Sequence, residues 1–145
     1  MRLAGFQAAT AAAGVHVPAD HLQEVGAFRR DEGARAMDRL LDLAEPPDAV
    51  YCFNDLLALG ALHALHRRGV RVPEDVAVIG TDDIVESGYS TPTLSTVAQD
   101  AGEIATLALD VLLDRIGDGA AAPPREVVAG FTLKVRQSTV GGPVA

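Results

Sequence analysis

The chain has one cysteine, Cys52, in 145 residues, so neither an internal disulfide nor a cysteine-rich zinc site can form. That usage fits a reducing compartment. Basic residues are also scarce: 12 Lys and Arg against 20 Asp and Glu give a net charge of -8. A surface that neutralises nucleic-acid phosphates needs a basic face, and no basic run is longer than Arg67-Arg68. These residues are therefore not expected to bind DNA or RNA directly. No apolar stretch reaches the length of a membrane span. The start, Met1-Arg2-Leu3-Ala4-Gly5-Phe6, does not read as a signal peptide, because its apolar part is short and runs into Gln7 and Thr10. A Gly-x-Ser-x-Gly elbow, a Gly-rich phosphate loop and a Gly-x-Gly-x-x-Gly turn are all missing. An enzyme is not expected, and neither is a cofactor.

What is present suits one soluble globular domain: 48% apolar and 22% charged residues, enough for a real core. Residues 2–13 read as an alanine-rich helix closed by Gly14. Residues 22–28 read as a short strand. Asp31 and Glu32 open a helix whose apolar stripe is Met37, Leu40, Leu41 and Ala44, and Glu45-Pro46-Pro47-Asp48 stops it. Ala49 to Phe53 is a continuous apolar run, the pattern of a parallel strand buried on both faces. A helix follows over 55–68 with Leu56, Leu59, Leu62 and Leu65 on one stripe, and Gly69 caps it behind Arg67 and Arg68. Val76 to Gly80 reads as a second buried strand, 84–90 as a short helix or turn, and Thr93 to Gln99 as extended. Residues 101–116 form the clearest amphipathic helix, with Ile104, Leu107, Ala108, Val111, Leu112 and Ile116 sharing a face. Residues 117–124 read as a loop, 125–135 as strand-like, and the tail from Gly141 as disordered. This alternation predicts an α/β fold with a mostly parallel sheet.

In such sheets ligands bind just outside the carboxyl ends of the strands. Asn54, Asp55, Asp82 and Asp83 stand where two apolar runs stop, and so converge on one crevice. The carboxylate of Asp82 could accept hydrogen bonds from two hydroxyls of a small polar molecule; the alternative for Asp82 or Asp83 is to cap the next helical turn. Asn54 offers donor and acceptor together, with the N-cap of helix 55–68 as its alternative role. Asp55 reads as first-turn helix charge. Cys52 reads as a buried strand residue. Gly60 costs its helix about 1 kcal/mol against alanine, which points to close packing by a neighbour. His63 and His66 read as a solvated helix face, and no metal site is expected.

Three stretches carry a resemblance. They are Asn54-Asp55-Leu56-Leu57-Ala58-Leu59-Gly60-Ala61, the run from Arg68-Gly69-Val70-Arg71-Val72-Pro73-Glu74-Asp75-Val76 to Val78-Ile79-Gly80-Thr81-Asp82-Asp83, and Pro92-Thr93-Leu94-Ser95-Thr96-Val97-Ala98-Gln99-Asp100. In this order and spacing, with Arg2-Leu3-Ala4-Gly5-Phe6 before and Val135-Arg136-Gln137-Ser138-Thr139 after, the chain resembles the effector-binding domain of LacI-type (lactose-repressor family) transcription regulators. The resemblance covers residues 2–139. It implies a periplasmic binding protein type I-like fold, present in part. Residues 1–99 correspond to the second lobe without its first strand-helix unit, 100–139 to the helix and strand crossing back toward the first lobe, and 140–145 to a tail. The helix-turn-helix, the hinge and most of the first lobe have no counterpart here.

The resemblance further implies a cytoplasmic, homodimeric protein that senses a small polar effector, a sugar or related metabolite, and contacts DNA only through a helix-turn-helix domain. It assigns Asp82 to the ligand and Asp83 to capping. Arg2 matches an arginine that reaches the ligand. Phe6 and Phe28 match positions that place aromatics near it, with core packing as the alternative, and Gln99 stands at the crossover between lobes. Thr81 replaces an aromatic or large apolar residue. The outer side of helix 55–68 resembles the family's subunit interface. A periplasmic sugar-binding component of a transporter shares the fold and is the second reading. The Arg71-to-Val76 and Ser95-to-Asp100 runs are the more repressor-like.

Overall fold

The computed structural model describes residues 2–117 and 125–142. Strands Ala49–Tyr51 (β1), Ala77–Thr81 (β2), Ser95–Gln99 (β3) and Phe131–Lys134 (β4) form one sheet in the order β1-β2-β3-β4. The first three run parallel, and β4 pairs antiparallel with β3. Register is set by Val50 opposite Val78 and Gly80 opposite Thr96. The helices are Arg2–Ala12 (α1), Arg30–Leu41 (α2), Asp55–Arg67 (α3), Ala101–Gly117 (α4) and Gln137–Val140 (α5). This is the expected α/β fold with a mostly parallel sheet.

The core lies between the sheet and the α2–α3 pair. Met37, Leu40, Leu57, Leu62 and Leu65 from the helices meet Cys52, Val76, Val78 and Leu94. Burial pushes the Cys52 thiol up to about 12, and the nearby charge of Asp55 adds to the shift. Two glycines let the helices touch. A Cβ on Gly60 would collide with the Arg30 carbonyl, and one on Gly33 would collide with the Leu57 carbonyl. The packing reason for Gly60 is thereby met. Arg67–Asp38 and Arg68–Asp42 ion pairs line the rim of this contact, where exposed pairs contribute little.

Chain ends of the helices follow the sequence signals. Gly14 takes φ +70, Val15 N–H donates to the Thr10 carbonyl at 2.9 Å and Gly14 N–H to Ala11 at 3.1 Å, which is the Schellman ending of α1. Gly69 closes α3 at φ +71. The second helix stops at Leu41, ahead of the proline pair, and Ala44 lies exposed beyond it.

Two expectations need correction. Residues 22–28 are not a strand. Their exposure alternates as a strand's would, but among the described residues no backbone hydrogen bond links them to a neighbouring segment, and pattern without a partner makes no ladder. Strand β1 is not buried on both faces: Ala49 is exposed and Val50 and Tyr51 half-buried, because β1 is the edge of the sheet. The stripe of α4 is uncovered, with Leu112 53% and Ile116 69% exposed. Residues 137–140, for which no element was expected, form the short α5, whose Ser138 Oγ donates to the Val78 carbonyl at 2.6 Å. Of the loop expected at 117–124, Gly117 ends α4 and residues 118–124 lie outside the described residues, as do 143–145 of the tail expected from Gly141.

A trough of about 1360 Å³ runs beside β1, between α1, residues 15–25 and α2, lined by Phe6, Leu22, Phe28, Met37, Val50 and Tyr51.

Gly60→Ala should destabilise the chain. Alanine gains about 1 kcal/mol of helix propensity, but overpacking costs about 1–3 kcal/mol and the obstacle is backbone, which cannot rotate away. Urea denaturation should show a lower midpoint; a variant as stable as the parent would contradict the packing account.

Candidate functional site

The carboxyl ends of β1 and β2 lie side by side, and each delivers polar groups. After β1 comes Asn54, buried and extended at φ -154, whose Oδ1 accepts the Leu57 N–H at 2.9 Å. Asn54 is thus the N-cap of α3. The bond uses Oδ1, and among the described residues Nδ2 has no hydrogen-bond partner.

After β2 come Asp82 at φ +113 and Asp83 at φ +54. Left-handed conformations at two successive non-glycine residues are rare and cost on the order of 1–3 kcal/mol each. They persist where neighbours over-determine them. Here the Asp82 N–H donates to the Val97 carbonyl at 3.0 Å, the Asp83 N–H to Thr96 Oγ1 at 3.3 Å, and the Ile84 N–H to Asp55 Oδ2 at 3.0 Å. The Asp83 carboxylate does not cap the following 3-10 turn, as was expected. It accepts from Arg136 at 2.7 Å, because an ionised partner offers a stronger bond than a backbone N–H.

Asp82 points its carboxylate at Arg2. Arg2 Nη2 stands 3.3 Å from Asp82 Oδ1, and Nη1 donates to the Phe53 carbonyl at 2.7 Å. One guanidinium therefore touches both strand ends. Both side chains are 38% exposed, so the pair is partly solvated and adds little stability. Burial pushes the Asp82 carboxyl above the usual carboxylate range; Arg2 opposes this shift and the charge of Asp55 reinforces it.

An aromatic ladder backs these groups. Phe6 of α1 stacks on Tyr51 with ring centroids 5.7 Å apart, and Tyr51 meets Phe53 edge-on at 5.5 Å. The sequence reading missed Tyr51 and Phe53 as aromatics of the site. Their separation by two in the run expected as a strand over 49–53 predicts one shared face, which was the available signal. Thr81 is buried, and its hydroxyl donates to Tyr51 Oη at 3.2 Å; it holds the ladder from behind.

The other expected residues are more scattered. Phe28 is 54% exposed and lines the trough beside β1. Gln99 ends β3, exposed, opposite Phe131 of β4. The structure brings together Arg2, Asp82 and the Phe53-Asn54 turn. It gives Phe28 and Gln99 no hydrogen bond or aromatic stacking to that group among the described residues. Among the same residues no cluster of three His, Cys, Asp or Glu side chains could hold a metal ion. A carboxylate, an amide and a guanidinium can orient hydroxyls, and none of them is an activated nucleophile.

Residues 1–139 match the family model described as a periplasmic binding protein-like domain. The chain belongs to that family. Its relatives are LacI-type repressors and regulators. It is 37% identical over 142 residues to the HTH-type transcriptional repressor PurR of Escherichia coli O1:K1 / APEC, a match covering 98% of this chain and 41% of the repressor. A LacI-type transcription regulator from Bifidobacterium animalis subsp. lactis superposes with TM-score 0.85 at 39% identity, over 95% of this chain and 49% of that one. The transcriptional regulator CelR, solved as a cellobiose complex, superposes with TM-score 0.84 at 38% identity, over 94% and 41%. The chain thus spans about half or less of the proteins it matches.

Asp82 should titrate above an ordinary aspartate, and Arg2→Ala should raise it further by removing the opposing cation. A carboxyl folded with a raised pKa contributes stability that is fully present below its unfolded pKa and is lost as pH rises through the folded pKa. Carbon-detected NMR titration reads the shift; an Asp82 pKa that does not rise on loss of Arg2 would contradict the pairing.

Proposed function

We propose that this chain is the effector-sensing part of a LacI-type transcriptional repressor, not an enzyme. Arg2, Asp82 and Asn54 form one wall of a cleft for a small polar effector of the sugar class. The observation that carries this reading is the meeting of three kinds of hydrogen-bonding group at two parallel strand ends, within reach of an aromatic ladder. Asp82 accepts from ligand hydroxyls, the Asn54 Nδ2 donates, and Arg2 reads a hydroxyl or carboxylate. An aromatic face suits the C–H face of a sugar. The relative solved with cellobiose supports the sugar class.

In the full-length protein this wall faces a first lobe. The uncovered apolar stripe of α4 and the exposed Phe131 and Leu133 of β4 suit the crossing toward it that residues 100–139 make. Ligand that touches both lobes favours the closed arrangement, and a closed lobe pair changes the affinity of a helix-turn-helix segment for DNA. The protein acts in the cytoplasm as a homodimer. Val85 and Tyr89, 75% and 85% exposed on the turn after Asp82, extend the outer side of α3 into a dimer surface.

Half a cleft leaves its hydrogen bonds in competition with water, so each contributes only about 0.5–1.5 kcal/mol. Calorimetry should therefore show weak binding by this chain alone and firm binding by a full-length reconstruction titrated with cellobiose and a panel of sugars and purines. In that reconstruction Asp82→Ala should weaken the best ligand about 10- to 100-fold, since bonds to a charged group contribute about 1.5–3 kcal/mol. Unchanged affinity would remove Asp82 from the site. Sedimentation of the reconstruction should show a dimer that Tyr89→Glu weakens; a Tyr89→Glu dimer as tight as the parent would move the interface elsewhere.

A further inference from the structure

Asp55 is fully buried, and no salt bridge to a cation reaches it among the described residues. An ionised carboxylate in that setting is expensive unless fully hydrogen-bonded. Its bonds are instructive. Oδ2 accepts the Ser87 hydroxyl at 2.6 Å and the Ile84 N–H at 3.0 Å, and Oδ1 accepts the Thr96 hydroxyl at 2.6 Å. Its place in the first turn of α3 adds the positive end of the helix dipole.

Every donor belongs to the surroundings of one turn. Ile84 and Ser87 follow Asp82-Asp83 in the chain. Thr96 lies on the neighbouring strand, and its oxygen also receives the Asp83 N–H. Asp55 thus takes one of the three successive N–H groups at 82–84 directly and a second through Thr96. Of these three residues Asp82 and Asp83 are held at φ +113 and +54, and Ile84, at φ -66, closes the turn.

Gly80 gives an independent sign of the same constraint. It sits in mid-sheet on β2, and a Cβ there would collide with Asp55 Oδ1. The space at Gly80 is filled by the carboxylate, so strand, helix and turn are fitted to one side chain. Ordinary first-turn charge would sit in solvent and need no such cavity.

We infer that Asp55 is a positioning residue for effector recognition: without touching ligand, it fixes the left-handed turn that aims the Asp82 carboxylate into the crevice. The inference rests on the proposed ligand role of Asp82, but the turn can be read without ligand.

The test uses the ligand-free 145-residue chain with Asp55→Asn, Thr96→Val and Thr96→Ser. NMR couplings that report φ are measured at Asp82 and Asp83, and amide exchange at Ile84, with Leu65 exchange as the control for the core. In Asp55→Asn and Thr96→Val the couplings should move toward negative φ and Ile84 should exchange at least about tenfold faster, while Leu65 stays protected. Thr96→Ser, which keeps the hydroxyl, should behave as the parent. Unchanged couplings and Ile84 exchange in a folded Asp55→Asn or Thr96→Val would overturn the inference, as would Thr96→Ser behaving like Thr96→Val. Should Asp55→Asn fail to fold, the Thr96 pair decides. A failure of Asp82→Ala to alter sugar affinity would bear on the ligand reading alone and leave these couplings as they are.

Discussion

The carboxylate of Asp55 ties together the three elements on which the candidate site stands. It begins α3, abuts β2 at Gly80, and bonds to β3 through Thr96 and to the turn through Ile84 and Ser87. Removing water from a charge is costly, and here three donors and a helix N-terminus compensate. Because all three donors are needed, the group tolerates few arrangements of its neighbours. A hydrophobic residue could fill the same volume but could not specify a backbone with two left-handed aspartates. Burial of this charge therefore favours one geometry over near alternatives, beyond any net stability it adds.

A second constraint is the glycine-mediated approach of α2 to α3. Backbone-to-backbone contact at Gly33 and Gly60 brings α2 close enough to cover the core face of α3. The helix that carries Asn54 and Asp55 is thus held from both sides, by the sheet and by α2. The candidate wall sits on this rigid part. By contrast α1 has no buried residue, and its Arg2 and Phe6 reach the wall through one partly solvated ion pair, one backbone bond and one aromatic stack. Arg2 is the member of the wall with most freedom to move.

Much of this was legible in the sequence. Gly14, Gly69 and the apolar runs at 49–53 and 76–80 marked helix ends and strands, because those signals act locally. The segment 22–28 misled because alternation describes a surface, whereas a strand needs a partner, and partners are set by the whole chain. Helix α4 was placed correctly while its apolar face pointed to a core that these residues do not supply. Asn54 was read as cap or ligand group, and its two ends allow both: Oδ1 caps, and Nδ2 has no partner among the described residues. Asp55 was read as first-turn helix charge and stands in the first turn of α3, but its burial was not legible, since nothing local distinguishes a solvated first-turn aspartate from a buried one. Its cavity depends on Gly80 and its donors on Thr96 and Ser87, residues 25 to 41 positions away in the sequence. Tyr51 and Phe53 were within reach of a period-2 reading of β1.

As proposed above, the strand ends carrying Asn54 and Asp82 are the wall of an effector cleft. The most direct measurement is a crystal structure of the full-length protein with its effector bound. The Asp82 carboxylate and the Asn54 Nδ2 should lie at hydrogen-bond distance from ligand oxygens, with Asp55 still bonded to Ile84, Ser87 and Thr96. An effector seated elsewhere, for example in the trough beside β1 with Asp82 left in solvent, would contradict it.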